Sequence, residues 1–566
     1  MRLLAVCLDA AERSVVDEMV AAGDLPHIAE LRRRGASSSL LRDSSYRAES
    51  AHIPLLTGGD PERLGYWGPN LFDPQTYECS VQGTYLGRPF YAGRDLRTIV
   101  FDVPQMSLAA DVDGIQVSAW GAHSPMFPRT SSPPGLFDEI TRRFGPHPAA
   151  RSDNQISWYS ERLMREMAEA LIEGARRRAK IVRWLMEEHP DWELFLTAWG
   201  ETHSAGHHYF HGIDPAHPLH DIPTAGLAAD LFRQVYMAVD SALGEVLESV
   251  GDDTTVMAFA AHGMESNAGD VPALVLLPEL LFRQHAGRPF MRLEQAAEGD
   301  AWLQLPPHRH VFEYLRQCVD VRPLLKARRG SVVERVATMA KYQLPPRVVS
   351  AARQVKGLVR ERSLPAVWHQ IDRRPFPEET REAGSAVPDI VPAGSLARWY
   401  RPFWPEMRAF ALPSFSDAHF RINVEGREGS GIVPPSEFAR ACEELADDLR
   451  RVVDGRTGEP IVKDIVMHRG DDPFALPALD ADLIVSFNAI TDRIRHPDVG
   501  MVGPAPYMRP GEHSNHGWVV AAGAGIEAGR LADGDVADLT RTILALLGKD
   551  DADLIGRPLV GRPARI

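Results

Sequence analysis

The chain has 566 residues, 44% of them hydrophobic and 25% charged, which is ample material for a large globular core. Its formal net charge of -15 opposes binding along a phosphate backbone, so nucleic acid is not an expected partner. No run approaches the roughly 20 apolar residues that a membrane span needs, so no membrane partner is expected either.

Leu3 to Leu8 is a continuous apolar run and predicts a buried parallel strand ending at Asp9. It is too short for the apolar region of a signal peptide. An amphipathic stretch with Val15, Val16, Met19 and Val20 follows. Residues 160–188 predict a long helix, with Leu163, Met167, Leu171, Ile181, Trp184 and Leu185 along one stripe and Pro190 as its stop. Glu193 to Thr197 predicts the next strand. Residues 228–250 repeat the scheme with Leu231, Val235, Val239, Leu243 and Val246, and Thr255 to Ala260 predicts a further strand. Such alternation implies an α/β fold, a three-layer α/β/α sandwich around a mostly parallel sheet. Chemistry in such folds sits at the carboxyl ends of strands, where Asp9, the Glu201–His211 segment and His262 fall.

From about residue 275 the pattern changes to Arg-rich helical segments separated by prolines. Between Lys326 and Arg362 there are ten basic residues and two acidic ones, either a solvated helical face or a lid over an anionic substrate. The α/β pattern returns after Arg398. The chain therefore divides into a first part of the core (1–274), a helical insertion or lid (275–399) and a second part of the core (400–566). The four cysteines, Cys7, Cys79, Cys318 and Cys442, form no CxxC pair, which argues against a cysteine zinc site or a disulfide framework and suits a reducing cytoplasm. Cytoplasmic location is the expectation; the oligomeric state is not readable.

The densest chemical signal is Gly200 to His211, in which imidazoles four residues apart converge on one metal ion if the segment is helical. Two further histidines flank apolar runs, His262 in Ala260-Ala261-His262-Gly263 and His513 in Gly511-Glu512-His513-Ser514. His123 follows an apparent strand and, with His211, is a candidate to line the pocket and bind substrate.

Several elements, in order, resemble the type I phosphodiesterase/nucleotide pyrophosphatase branch of the alkaline phosphatase superfamily. They are Cys7-Leu8-Asp9-Ala10, Asp24-Leu25-Pro26-His27-Ile28, Arg34-Gly35-Ala36, Leu55-Leu56-Thr57-Gly58 with Pro61-Glu62, and Asn423-Val424-Glu425-Gly426-Arg427-Glu428 with Gly431-Ile432-Val433. His513 with Gly517 resembles that branch's late histidine element.

The resemblance implies two divalent metals and a Ser or Thr nucleophile between them. One metal site falls on His203, His207 and His513, with a histidine where the family has aspartate. The other falls on Asp9 and His262, but its second aspartate position is Ala261. The usual nucleophile position, nine residues before Thr57, is Ala48, followed by Glu49 and Ser50. Ser50 as nucleophile, water as nucleophile, Glu49 as a substitute ligand and Glu49 as a general acid or base all stay open.

The expected protein is thus a metal-dependent hydrolase or transferase acting on a phosphoester or related small anionic group. The expected cofactor is a divalent metal, zinc first and iron or manganese as alternatives, with one ion expected and the second open. A metalloenzyme recruited to lyase or oxidative chemistry, and a non-catalytic binding protein, are the rival readings.

Overall fold

The Leu3–Leu8 run lies at the centre of the fold. A computed structural model describes residues 2–42, 51–59, 64, 66, 68, 70–81, 87–121, 129–150, 158–251, 253–293, 302–303, 311–323, 393–475 and 480–560. The opening strand, Arg2–Leu8, is buried on both faces. Leu4, Val6 and Leu8 enter one apolar cluster with the helices Glu161–Glu188 and Ala225–Leu247. Leu3, Ala5 and Cys7 enter another, with Leu55 and Leu56 of the helix His52–Thr57 and Leu539, Ile543 and Leu544 of the helix Asp538–Leu546. An unbroken apolar strand is what such two-sided covering demands, and each large side chain so buried contributes roughly 1.5–3 kcal/mol.

Among the described residues the central sheet has nine strands. Their order is Gly529–Arg530, Ala36–Leu41, His516–Ala522, Thr254–Ala260, Arg2–Leu8, Leu194–Trp199, Thr98–Phe101, Gly114–Ser118 and Thr130–Ser132. From Thr254–Ala260 through Gly114–Ser118 the neighbours are parallel, whereas His516–Ala522 runs antiparallel to both of its partners. With helices on both faces, this is the three-layer α/β/α sandwich that the alternation implied. The helix predicted over 160–188 is Glu161–Glu188, capped by Ser160, whose hydroxyl accepts from the Leu163 amide at 3.5 Å. The helix predicted over 228–250 is Ala225–Leu247.

The chain after residue 400 differs from the simple return of strand–helix alternation. Ala409–Leu412, Ala418–Ile422, Leu483–Phe487 and Val462–Met467 build a separate four-stranded antiparallel sheet, and the chain re-enters the central sheet with His516–Ala522. Leu483–Phe487 alternates buried with half-buried residues, the pattern of a sheet covered mainly on one side. The described parts of 275–399 pack there: Leu277, Leu280, Leu315 and Leu396 share one apolar cluster with Phe410, Phe420 and Leu483. The basic run Lys326–Arg362 lies outside the described residues. No described helix is long and apolar enough to cross a membrane.

Candidate functional site

Three neighbouring parallel strands deliver the site. Asp9 follows Arg2–Leu8, the histidine helix Glu201–Ile213 follows Leu194–Trp199 through Gly200, and His262 comes two residues after Thr254–Ala260. Thr202 ties two of these ends together, its hydroxyl donating to the Asp9 carbonyl at 2.6 Å. The helix start is anchored by Glu201, which is wholly buried between Arg178 (3.3 Å) and His147 (2.9 Å). Burial alone would raise the Glu201 carboxyl, but Arg178 and His147 outweigh it and hold it below the usual range.

One turn of helix puts His203 and His207 on the same face, with their Nε2 atoms 2.8 Å apart. His513 arrives on the short strand Gly511–Ser514, paired antiparallel with Gly263–Ser266, and brings its Nε2 to 3.1 Å from that of His203. This strand can press on the helix because both lines of contact carry glycine. A Cβ at Gly511 would collide with the Gly206 carbonyl, and one at Gly206 would lie 2.6 Å from Met264 Cε. The close approach sets His207 Nδ1 2.8 Å from the Gly511 carbonyl.

These contacts fix the tautomers. A carbonyl oxygen can only accept, so His207 Nδ1 carries the hydrogen and its Nε2 presents a lone pair. His203 Nδ1 lies 3.0 Å from the Asp9 carboxylate, so its hydrogen sits there and its Nε2 is likewise bare. Two imidazole lone pairs at 2.8 Å repel each other unless a cation lies between them. The ligand atoms of His203, His207 and His513 all fall within 4.8 Å of one another. Three neutral nitrogens, two of them oriented by acceptors behind, form a donor set that suits a divalent ion of the zinc type.

Asp9 is surrounded by imidazoles. Its Oδ2 faces His203, while its Oδ1 lies 3.1 Å from His52 Nε2 and 3.3 Å from His262 Nε2. Burial pushes its carboxyl up, but His52 and His203, with hydrogen bonds from His203 and His262, hold it well below the usual carboxylate range. Asp9 and His262, expected together in a second metal site, therefore lie together around one carboxylate. Ala261, beside them, is buried and offers no ligand atom.

Two residues of the site went unread in the sequence. His52 stands three residues before the Leu55-Leu56-Thr57-Gly58 element, and its imidazole packs edge-on to His262 at 5.5 Å. Arg509 lies four residues before His513, and its Nη1 reaches His207 Nε2 at 3.2 Å. Adjacency in sequence to a recognised element was the one signal for either.

His211 lies one turn beyond His207 and is fully buried. Its ring faces His217, with centroids 6.1 Å apart, and it does not join the three-histidine group. Neither ring nitrogen has a hydrogen-bond partner among the described residues, and burial, with His217 and His220 nearby, lowers its pKa to about 3. Its imidazole is therefore neutral at physiological pH. Ser50, Glu49 and His123 lie outside the described residues.

The candidate site thus lies across the carboxyl ends of a mostly parallel sheet, where the chemistry of α/β folds sits. Residues 3–392 match the profile of the type I phosphodiesterase / nucleotide pyrophosphatase family, and the chain belongs to that family. His513 falls beyond the matched stretch. A comparison with curated proteins found no match. Among solved structures, phosphonoacetate hydrolase from Sinorhizobium meliloti 1021 in complex with phosphonoformate is similar at 17% identity with a TM-score of 0.34. That alignment covers 54% of this chain and 66% of the hydrolase. Human ectonucleotide pyrophosphatase / phosphodiesterase 5 is 11% identical over 99% of this chain and 97% of its own, with a TM-score of 0.42. The murine form in complex with AMP gives 11% identity and a TM-score of 0.41, with the same coverage.

Proposed function

We propose that this protein is a metal-dependent hydrolase of phosphoesters or related small anionic substrates, built on one three-histidine site. The observation that carries this reading is the convergence of His203, His207 and His513 through nitrogens whose lone pairs are directed by Asp9 and Gly511. A divalent cation bound there would polarise the substrate's anionic group and activate water near neutral pH. The chain's own part is to hold that charge in a buried pocket, fix the ring orientations and place the attacking group.

In this reading Asp9 Oδ2 orients His203 and balances charge, while Asp9, His203 and His262 also form a group that could hold a second ion. Ser50 or water supplies the attack, with Glu49 the candidate acid or base in the same segment.

Elemental analysis of the purified protein, with bis(4-nitrophenyl) phosphate as a probe, tests the reading. About one zinc per chain and hydrolysis lost on chelation are expected. Full metal occupancy without hydrolysis of any phosphoester would refute the hydrolase assignment, and iron or copper in place of zinc would point to oxidative chemistry. Ser50→Ala separates the two attacking groups. If Ser50 attacks, turnover falls at least about 1,000-fold, whereas water as nucleophile leaves it within roughly tenfold.

A further inference from the structure

A second concentration of polar chemistry lies away from the carboxyl ends of the strands. The helices Arg13–Ala22 and Pro26–Arg34 meet the strands Ala36–Leu41 and Gly529–Arg530 at the edge of the central sheet. Between them is an open pocket of about 100 Å³, lined by Arg13, Arg32, Arg530, Ser37, Ser39 and Trp518 among others. Its three guanidiniums outnumber the carboxylates beside them, in a chain whose net charge is -15. Asp17 is shared by two of them, 2.5 Å from Arg32 Nη1 and 3.6 Å from Arg13 Nε, and Asp533 lies 3.3 Å from Arg530 Nη2. Arg13 and Arg530 also converge on one neutral acceptor. Arg13 Nη1 donates to Ser39 Oγ, and Arg530 Nη2 reaches the same oxygen at 3.5 Å. Arg32 lies over the Trp518 ring at 5.2 Å, and that indole is fixed by donating to the Ala11 carbonyl at 2.9 Å.

We infer that this pocket binds a free tetrahedral oxyanion of the phosphate type, seated among Arg13, Arg32 and Arg530 and apart from the histidine cluster. Two like charges drawn to one hydroxyl repel each other, and an anion placed between them turns that repulsion into attraction. The donors to receive it are in place. Arg13 Nη2, Arg32 Nε and Nη2, and Arg530 Nε and Nη1 make no hydrogen bond among the described residues. A guanidinium fork matches phosphate oxygens in pairs, and Arg32, already stacked on Trp518, loses little freedom when it binds one. Three guanidiniums around one space call for at least three acceptor oxygens, which a tetrahedral oxyanion has and a carboxylate lacks. Size narrows the ligand further. A pocket of about 100 Å³ holds a few waters or one small ion, whereas sites that enclose a drug-sized molecule run to roughly 300–1,000 Å³. The occupant is therefore the free ion, not a nucleotide.

The test titrates inorganic phosphate by calorimetry into the purified wild-type protein, into the same protein with a chelator present, and into Arg13→Gln and Arg530→Gln with the chelator present. The chelator separates this pocket from the histidine cluster, because phosphate held by arginines needs no metal ion. The chelated wild-type protein should still bind phosphate, and each substitution should weaken that binding about 10- to 100-fold, the scale of a lost charge-assisted hydrogen bond. The Arg530 side chain is 66% exposed, so Arg530→Gln should keep the wild-type melting temperature, and its weaker binding then reports the pocket rather than the fold. Chelated wild-type protein that takes up no phosphate overturns the inference, and so does uptake that both substitutions leave unchanged. Neither result bears on the hydrolase reading, which is decided by the metal count and by phosphoester hydrolysis.

Discussion

The His207→Ala protein is expected to lose the divalent ion that the proposed three-histidine site would hold. In the proposed site His207 supplies one of three imidazole nitrogens, and the two that remain come from two different elements, the histidine helix and the strand Gly511–Ser514. Removing a residue that merely orients a ligand costs about 10- to 100-fold in metal affinity, so removing a ligand must cost more than that. Dialysis against a buffered zinc series followed by elemental analysis reads the change directly. Unchanged occupancy in His207→Ala would eliminate the three-histidine site.

Asp9→Asn is the informative partner. Asparagine keeps an acceptor for His203 Nδ1 but removes the charge, so affinity should fall within the 10- to 100-fold range while the ion count per chain stays the same. A drop from two ions to one in Asp9→Asn would instead make Asp9 a ligand of a second ion.

The helix and sheet framework was legible because burial writes itself into period. The unbroken run Leu3–Leu8 reads as a strand covered on both faces, and the stripe from Met167 to Leu185 as one face of a long helix, though at its start Met164 is buried rather than Leu163. His203 and His207 were legible for the same reason, since four residues make one helical turn. His513 was not readable from spacing, being 310 residues from His203, and entered through the resemblance. Arg509 and His52 escaped both routes. The aim of Arg509 depends on Asp270, 239 residues away, and His52 matters because the helix His52–Thr57 happens to start against Asp9. The antiparallel sheet was missed because its strands are short and half wetted. Val462–Met467 carries Lys463 and Asp464 on exposed positions and has no clean alternation to detect.

Arg178→Leu is expected to destabilise the fold by about 3–5 kcal/mol, the usual consequence of leaving buried charge without its partner. Arg178 is fully enclosed in the long helix, 2.7 Å from Asp102 and 3.3 Å from Glu201, with Trp120 stacked at 5.3 Å. The same truncation at Arg162, whose pair with Glu166 is largely exposed, should cost no more than about 0.5 kcal/mol. Thermal or urea midpoints of the two variants compare them directly, and a loss under about 1 kcal/mol at Arg178 would contradict the account.

The pH dependence sharpens it. In the wild-type protein the folded Glu201 carboxyl lies below its unfolded value, so its contribution is present above about pH 4.3 and is lost as pH falls. Without Arg178 the carboxyl loses the first of the causes that lower it while burial still raises it, so it moves up and less of its contribution remains above about pH 4.3. The gap between wild type and Arg178→Leu should therefore be widest near pH 7 and narrow toward pH 4; a gap independent of pH would remove Glu201 from the explanation. Because Glu201 begins the helix whose third residue is His203, zinc affinity should weaken along with stability in Arg178→Leu and hold in Arg162→Leu.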